Sequence, residues 1–121
     1  MSKLRYFTYD EFDSPDVPMS GKMFMDRDFV HLLDNARNYA GIPFRINSGY
    51  RSKNHNIRVG GTPNSSHLKG LAADIHAPTV GDKFKIVKSL IRVGINRIFI
   101  YDTFIHCDID LSKVNPALRG Y

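Results

Sequence analysis

The sequence has very little cysteine and no long apolar segment. Cys107 is the single cysteine, which excludes an intramolecular disulfide framework. The longest apolar runs are far shorter than the ~20 residues of a membrane-spanning helix, so we expect no membrane insertion. The first residues lack the apolar stretch of a signal peptide, so we expect a protein that is made in the cytoplasm and does not direct its own export. Repeats and low-complexity segments are also absent.

The size and composition are those of an ordinary globular protein. With 121 residues, the chain suits one domain over residues 1–121, and we expect a monomer. Hydrophobic residues make up 42% and charged residues 24%, which excludes a disordered or collagen-like chain.

The net charge of +5 favours polyanionic partners such as nucleic acid, anionic lipid or anionic wall polymers. Nucleic-acid binding would require clustered charge. The cations instead form two loose groups: Arg51, Lys53, Arg58 and Lys69, and then Lys83, Lys85, Lys88 and Arg92. The second group resembles the solvated face of a helix, so we expect no nucleic-acid partner.

Two helices are indicated by apolar residues at spacings of three and four. The first runs from about Phe24 to Ala40 and ends at Gly41, a favourable residue after a helix. The second covers about residues 80–93, with Thr79 in position to cap its first turn.

Short apolar and small-residue runs predict four strands, at residues 44–49, 71–77, 97–101 and 104–108. Only Asp102 and Thr103 separate the last two, which predicts an antiparallel hairpin. The polar stretch of residues 50–69 is predicted as a loop, and loops of that length are usually functional or disordered. The expected fold class is α+β, with helices packed on a mostly antiparallel sheet.

His67, Asp74 and His106 are candidate metal ligands. A hydrolytic zinc site needs three protein ligands from imidazole and carboxylate, with one position left open for water. Gly70 permits a sharp change of direction between the first two residues. Asp74 and His106 lie in otherwise apolar strands, where unpaired polar groups are costly. Ordinary strand packing and a solvated strand face are the alternatives. His106 and Asp108 share a strand face.

Four motifs occur in order along the chain. They are Ser-Gly-Tyr-Arg-Ser at 48–52, Asn56 with Val-Gly-Gly at 59–61, Ser-x-His-x-x-Gly-x-Ala-x-Asp at 65–74, and Tyr-x-x-Phe-Ile-His-x-Asp at 101–108. With these motifs, the chain resembles the D-Ala-D-Ala carboxypeptidase and murein endopeptidase group. These are small zinc peptidases of bacterial cell walls and phage lysins that share a zinc fold with the Hedgehog signalling domain.

The resemblance implies one zinc ion, with His67, Asp74 and His106 as its ligands. Arg51 matches the family arginine that binds a substrate carbonyl or carboxylate, and its planar charged fork suits that role. Ser65 matches a family serine two residues before the first ligand. This serine could bind substrate or orient its loop.

The sequence departs from the family at the general base. Several relatives place a glutamate three residues before the last histidine, where this chain has Thr103, and others place a histidine at the position of Phe104. Asp108 and Asp102 are the available carboxylates. We favour Asp108 as the base because it shares a face with His106. Its competing role is to hold a ligand imidazole through that imidazole's other nitrogen.

The resemblance predicts a zinc metallopeptidase that hydrolyses a peptide bond in peptidoglycan stem peptides or cross-links. It would act as a carboxypeptidase or an endopeptidase, with D,D or L,D specificity. A phage lysin acting on the wall after release, or from the virion, is the expected setting. The missing glutamate motivates an alternative, a non-catalytic zinc-containing wall-binding module. A further alternative, a basic nucleic-acid-binding protein, is motivated by the charge alone.

Overall fold

Five strands form one sheet within residues 3–121, the part of the chain that the computed structural model describes. They are β1 (Ile46–Ser48), β2 (Ala72–His76), β3 (Arg97–Ile100), β4 (Phe104–Asp108) and β5 (Ala117–Gly120). Their order across the sheet is β1, β2, β4, β3, β5. All neighbours are antiparallel except β3 and β5, which run parallel. The predicted α+β class with a mostly antiparallel sheet is confirmed.

Four α-helices and two short 3₁₀ helices accompany the sheet in the described part of the chain. The α-helices are α1 (Ser20–Phe24), α2 (Arg27–Ala40), α3 (Lys53–Arg58) and α4 (Val80–Arg92), and the 3₁₀ helices are Tyr9–Phe12 and Ser66–Lys69. As predicted, Gly41 follows α2 with a positive φ of 70°, and the Thr79 side chain accepts a hydrogen bond from the Asp82 backbone at the start of α4. None of the helices in the described residues combines the length and apolar character needed to cross a membrane.

The two faces of the sheet have opposite character. In β4, Ile105 and Cys107 are fully buried in the hydrophobic core, while His106 and Asp108 point to the other face. Helices α2 and α4 pack against each other on the core side. The large core residues include Phe12, Phe29, Leu33, Phe44, Ile75, Ile86, Leu90, Ile98 and Ile105. Because the helices and the core cover the other face, the polar face of the sheet can carry a functional site.

Two predicted elements differ from the structure. The predicted helix over residues 24–40 begins only at Arg27, because Met25 has extended backbone angles (φ −70°, ψ 136°) and Asp26 caps the first turn of α2. The predicted loop over residues 50–69 contains α3 and the second 3₁₀ helix. Helix α3 buries only Asn56, so it has no apolar stripe from which periodicity could have detected it.

Strand β5 was not among the predicted elements. It is largely exposed and lacks apolar alternation, and it pairs with β3, about twenty positions earlier in the chain. A single-sequence pattern carries no signal for such a pairing.

Gly70 lies where the second 3₁₀ helix passes into β2, and its conformation requires glycine. Its φ is +71°, and an added Cβ would lie 2.0 Å from the carbonyl oxygen of Phe24. Gly41 has nearly the same φ, +70°, but open space around it. Comparing the same substitution at Gly70 and at Gly41 therefore separates the cost of backbone strain from the cost of steric overlap.

We expect Gly70→Ala to destabilise the fold more than Gly41→Ala does. The left-handed conformation costs roughly 1–2 kcal/mol in both variants, and the clash adds about 1–3 kcal/mol in Gly70→Ala alone. Urea unfolding of the two variants measures the difference. Equal losses would contradict the steric reading of Gly70.

Candidate metal centre

Three separate segments bring His67, Asp74 and His106 together. His67 lies in the second 3₁₀ helix, Asp74 in β2 and His106 in β4. The β2–β4 register places Asp74 directly opposite His106. One potential ligand atom from each residue lies within 4.8 Å of the other two. The structure thus brings together the three residues that the sequence selected.

A single carboxylate oxygen lies at the centre of the cluster. Asp74 Oδ1 is 2.9 Å from His106 Nδ1 and 3.3 Å from His67 Nε2. Both His67 and Asp74 are buried, with exposed fractions of 3% and 7%. Burial disfavours the charged carboxylate, but hydrogen bonds from His106 and His67 outweigh it and hold the pKa of Asp74 well below its usual value.

The outer nitrogen of each imidazole also has a partner. His67 Nδ1 is 2.7 Å from the carbonyl oxygen of Gly49, and since a carbonyl only accepts, Nδ1 donates and Nε2 is the nitrogen that faces the cluster. His106 Nε2 lies 2.8 Å from Asp108 Oδ2. Donation to Asp108 leaves His106 Nδ1 directed at Asp74. In both imidazoles, the nitrogen that faces away from the cluster has a hydrogen-bond partner that fixes the orientation of the ring, as is typical of metal-binding histidines.

Asp108 is fully buried and is held on both oxygens. In addition to His106, it accepts hydrogen bonds from Arg97 Nε at 2.8 Å and from the backbone N–H of Asp110 at 3.0 Å, both on Oδ1. Burial opposes its ionisation, but the hydrogen bond from His106 leads the contacts that lower its pKa. The predicted placement of Asp108 beside His106 is confirmed.

His106 is flanked by two carboxylates. Burial disfavours its protonated form, but hydrogen bonds with Asp108 and Asp74 raise its pKa above the ordinary histidine value. The donor set of two imidazoles and one carboxylate fits Zn²⁺. His67 Nε2, Asp74 Oδ1 and His106 Nδ1 are the atoms that would hold the ion.

Arg51 is fixed beside the cluster by three contacts. Its Nε donates to Ser48 Oγ at 3.0 Å, its Nη1 donates to Asn56 Oδ1 at 3.2 Å, and its Nη2 is 3.5 Å from Asp74 Oδ2. The guanidinium is thus fixed in position beside the cluster. Ser65 accepts a hydrogen bond on Oγ from the His67 backbone at 3.2 Å, so it orients the segment that carries His67.

The cluster lines an open cleft of about 490 Å³. The residues around it include Arg51, Gly60, Gly61, Ser65, His67, Asp74, Arg97, Tyr101, Phe104, His106, Asp108 and Lys113. Asp102, the second candidate base, is exposed in the turn between β3 and β4 and does not line the cleft. Thr103, at the position of the family glutamate, is also exposed.

A family model described as peptidase M15 matches residues 5–108. The chain belongs to the peptidase M15 family. The resemblance drawn from the sequence motifs is thereby confirmed, and M15 membership supports a zinc metallopeptidase. No curated protein matches the chain. The matched region contains all three residues of the cluster and ends at Asp108, before Asp110 and β5.

Two residues that the sequence analysis did not select, Arg97 and Asp110, hold groups that surround the cluster. Arg97 stands opposite Asp108 in the β3–β4 register. Asp110 accepts hydrogen bonds from Ser66 Oγ at 2.7 Å and from Lys69 Nζ at 3.0 Å. Through its backbone N–H and its carboxylate, Asp110 joins the segment after β4 to the 3₁₀ helix that carries His67.

We expect Asp110→Ala to lower the free energy of unfolding by about 1–3 kcal/mol, because it leaves the buried Ser66 hydroxyl without its acceptor. Asp102→Ala is the matched control, because the Asp102 side chain is exposed and surface changes of this kind usually stay within about 0.5 kcal/mol. Urea unfolding measures both variants. Similar small losses in both would show that the Asp110 network does not hold the segments together.

Proposed function

We propose that this protein is a zinc-dependent peptidase that hydrolyses a peptide bond in the stem peptides or cross-links of peptidoglycan. The observation that carries the proposal is the convergence of two imidazoles and one carboxylate within 4.8 Å in an open cleft. M15 membership over residues 5–108 supports the reaction class. On the sequence resemblance alone, we also propose that it acts as a phage lysin, on the wall after release or from the virion.

Zinc with three protein ligands and one open position lowers the pKa of its water to about 7 and polarises a carbonyl. His67, Asp74 and His106 would hold the ion, each through the atom that already faces the cluster. The Gly49 carbonyl and the Asp108 carboxylate keep the two imidazoles in the tautomers and orientations that this requires.

Arg51 is proposed as the substrate anchor. It lines the cleft beside the metal ligands, and Ser48 and Asn56 fix its guanidinium. A guanidinium can donate two parallel hydrogen bonds to a carboxylate or one to a carbonyl. Because the side chain is already fixed, less conformational entropy is lost when the substrate binds. Ser65 also lines the cleft and stays a candidate for substrate contact.

The contacts of Asp108 favour a positioning role over that of general base. One oxygen receives Arg97 and the Asp110 backbone, and the other receives His106. A base needs an oxygen that can accept the proton of the attacking water, whereas both oxygens here are engaged. Asp108 nevertheless lines the cleft, so the two roles are to be separated by experiment.

The proposed activity is tested by incubating the protein with purified sacculi, with and without a metal chelator, and by identifying the products by mass spectrometry. We expect new peptide fragments or released residues with the zinc-loaded protein, and none after chelation. Metal removal should also lower the melting temperature, since the ligands tie together three segments and binding energy becomes folding energy.

A protein that holds one zinc and binds sacculi but releases no new amines would favour the alternative of a non-catalytic wall-binding module. A melting temperature unchanged in a sample shown to be free of metal would contradict the proposed ligand set. Asp102→Asn serves as the control variant and should retain full activity.

We expect Asp108→Asn to weaken zinc binding by roughly 10- to 100-fold, since the residue behind a ligand imidazole commonly contributes that much. Excess zinc should then restore turnover. Competition with a chromogenic chelator measures the affinity. A wild-type zinc affinity with turnover reduced by about 10²- to 10⁴-fold would instead identify Asp108 as the general base.

A further inference from the structure

A second concave surface lies on the helical side of the molecule. We call it the basic groove, and its charged and aromatic residues are Tyr39, Phe84, Lys85, Lys88 and Arg92. It has a volume of about 320 Å³ and lies between the end of α2 and the outer face of α4. Helix α4 directs Ile86 and Leu90 into the core. The basic groove and the metal cluster therefore lie on opposite sides of the sheet.

The aromatic side chains of the basic groove are unusually open to solvent. Phe84 is 67% exposed and Tyr39 is 53% exposed. Arg92 places its guanidinium 4.0 Å from the centre of the Tyr39 ring, and Lys88 Nζ lies 5.9 Å from the centre of the Phe84 ring. These contacts hold two cations at the rim. They also cover one face of each ring, which leaves the rings less suited to stacking with nucleotide bases.

The cations of the basic groove have no acidic partner. Within residues 3–121, no ion pair involves Lys85, Lys88 or Arg92, and no carboxylate lines the groove. The arginines of the cleft differ, because Arg51 and Arg97 each face an aspartate. The basic groove therefore offers uncompensated positive charge beside apolar rings, which is complementary to a polymer that carries free carboxylates.

We propose that the basic groove is a second, non-catalytic attachment site for peptidoglycan, which binds the free carboxylates of stem peptides remote from the bond being cut. The proposal rests on the function proposed above, which supplies the polymer. Its charge complements the groove, and lysine and arginine are the donors that carboxylates prefer. Since the two sites lie on opposite faces, one strand of the wall can be held while another occupies the cleft. Attachment would keep the enzyme on an insoluble substrate between cleavage events.

The test compares two double variants with equal changes in charge. Lys88→Glu with Arg92→Glu reverses the basic groove. Lys22→Glu with Arg45→Glu reverses two exposed cations that line neither the groove nor the cleft. Co-sedimentation of the zinc-loaded protein with sacculi on ice measures binding, and hydrolysis of a short soluble stem peptide measures turnover. If the first variant does not fold, Lys85→Glu with Lys88→Glu replaces it.

We expect the groove variant to bind sacculi about tenfold more weakly, as the loss of several exposed charge contacts predicts, and the control variant to stay within about twofold. Turnover of the soluble peptide should be unchanged in both. Unchanged binding in the groove variant, or equal losses in both variants, would overturn the proposal.

A groove variant that keeps its affinity for sacculi but loses affinity for single-stranded DNA or for anionic vesicles would also overturn the proposal, and would identify a different partner. The proposed function can fail independently of the basic groove. In that case the wild-type protein sediments with sacculi and the groove variant does not, yet no peptide is released by either protein.

Discussion

The burial of the Asp74 carboxylate constrains much of this structure. An ionised carboxylate inside a protein is stable only where hydrogen-bond donors and opposite charges surround it. Here β2 supplies the carboxylate, β4 supplies His106 directly opposite, and the 3₁₀ helix and the segment before α3 supply His67 and Arg51. The sharp turn at Gly70 brings His67 back toward the strand that carries Asp74. The arrangement that satisfies Asp74 is also one that can hold a divalent cation.

The two imidazoles around Asp74 are in turn held in place by groups farther from the cluster. His67 is fixed by a backbone carbonyl, whereas His106 is fixed by Asp108, which in turn is held by Arg97 and by the segment that follows β4. Sites of this kind lose activity when their supporting residues permit small displacements. Asp110 lies beyond the residues matched by the family model. This chain therefore completes the support of a family cluster with residues outside the matched region.

Alternation in β4 predicted that His106 and Asp108 share a face, because strand geometry alone determines this, and it also places Cys107 between them on the core side. The two-residue turn predicted at Asp102 and Thr103 also fixes the hairpin register, so Arg97 could have been placed opposite Asp108 from the sequence. Asp110 and β5 could not have been found in this way. Their positions depend on contacts with distant segments, and neither shows an apolar pattern of its own.

The sheet also divides the charged residues of the protein between a cleft side and a helical side. On the cleft side, Arg51 and Arg97 are each compensated by an aspartate, so the cleft gains little net charge from its arginines. On the helical side, the cations of α4 have no such partners among the described residues. Part of the net charge of +5 is therefore displayed on the face remote from the cluster. The sheet thus separates a charge-compensated cleft around the cluster from a cationic face, and the proposed groove assigns only the second to an anionic polymer.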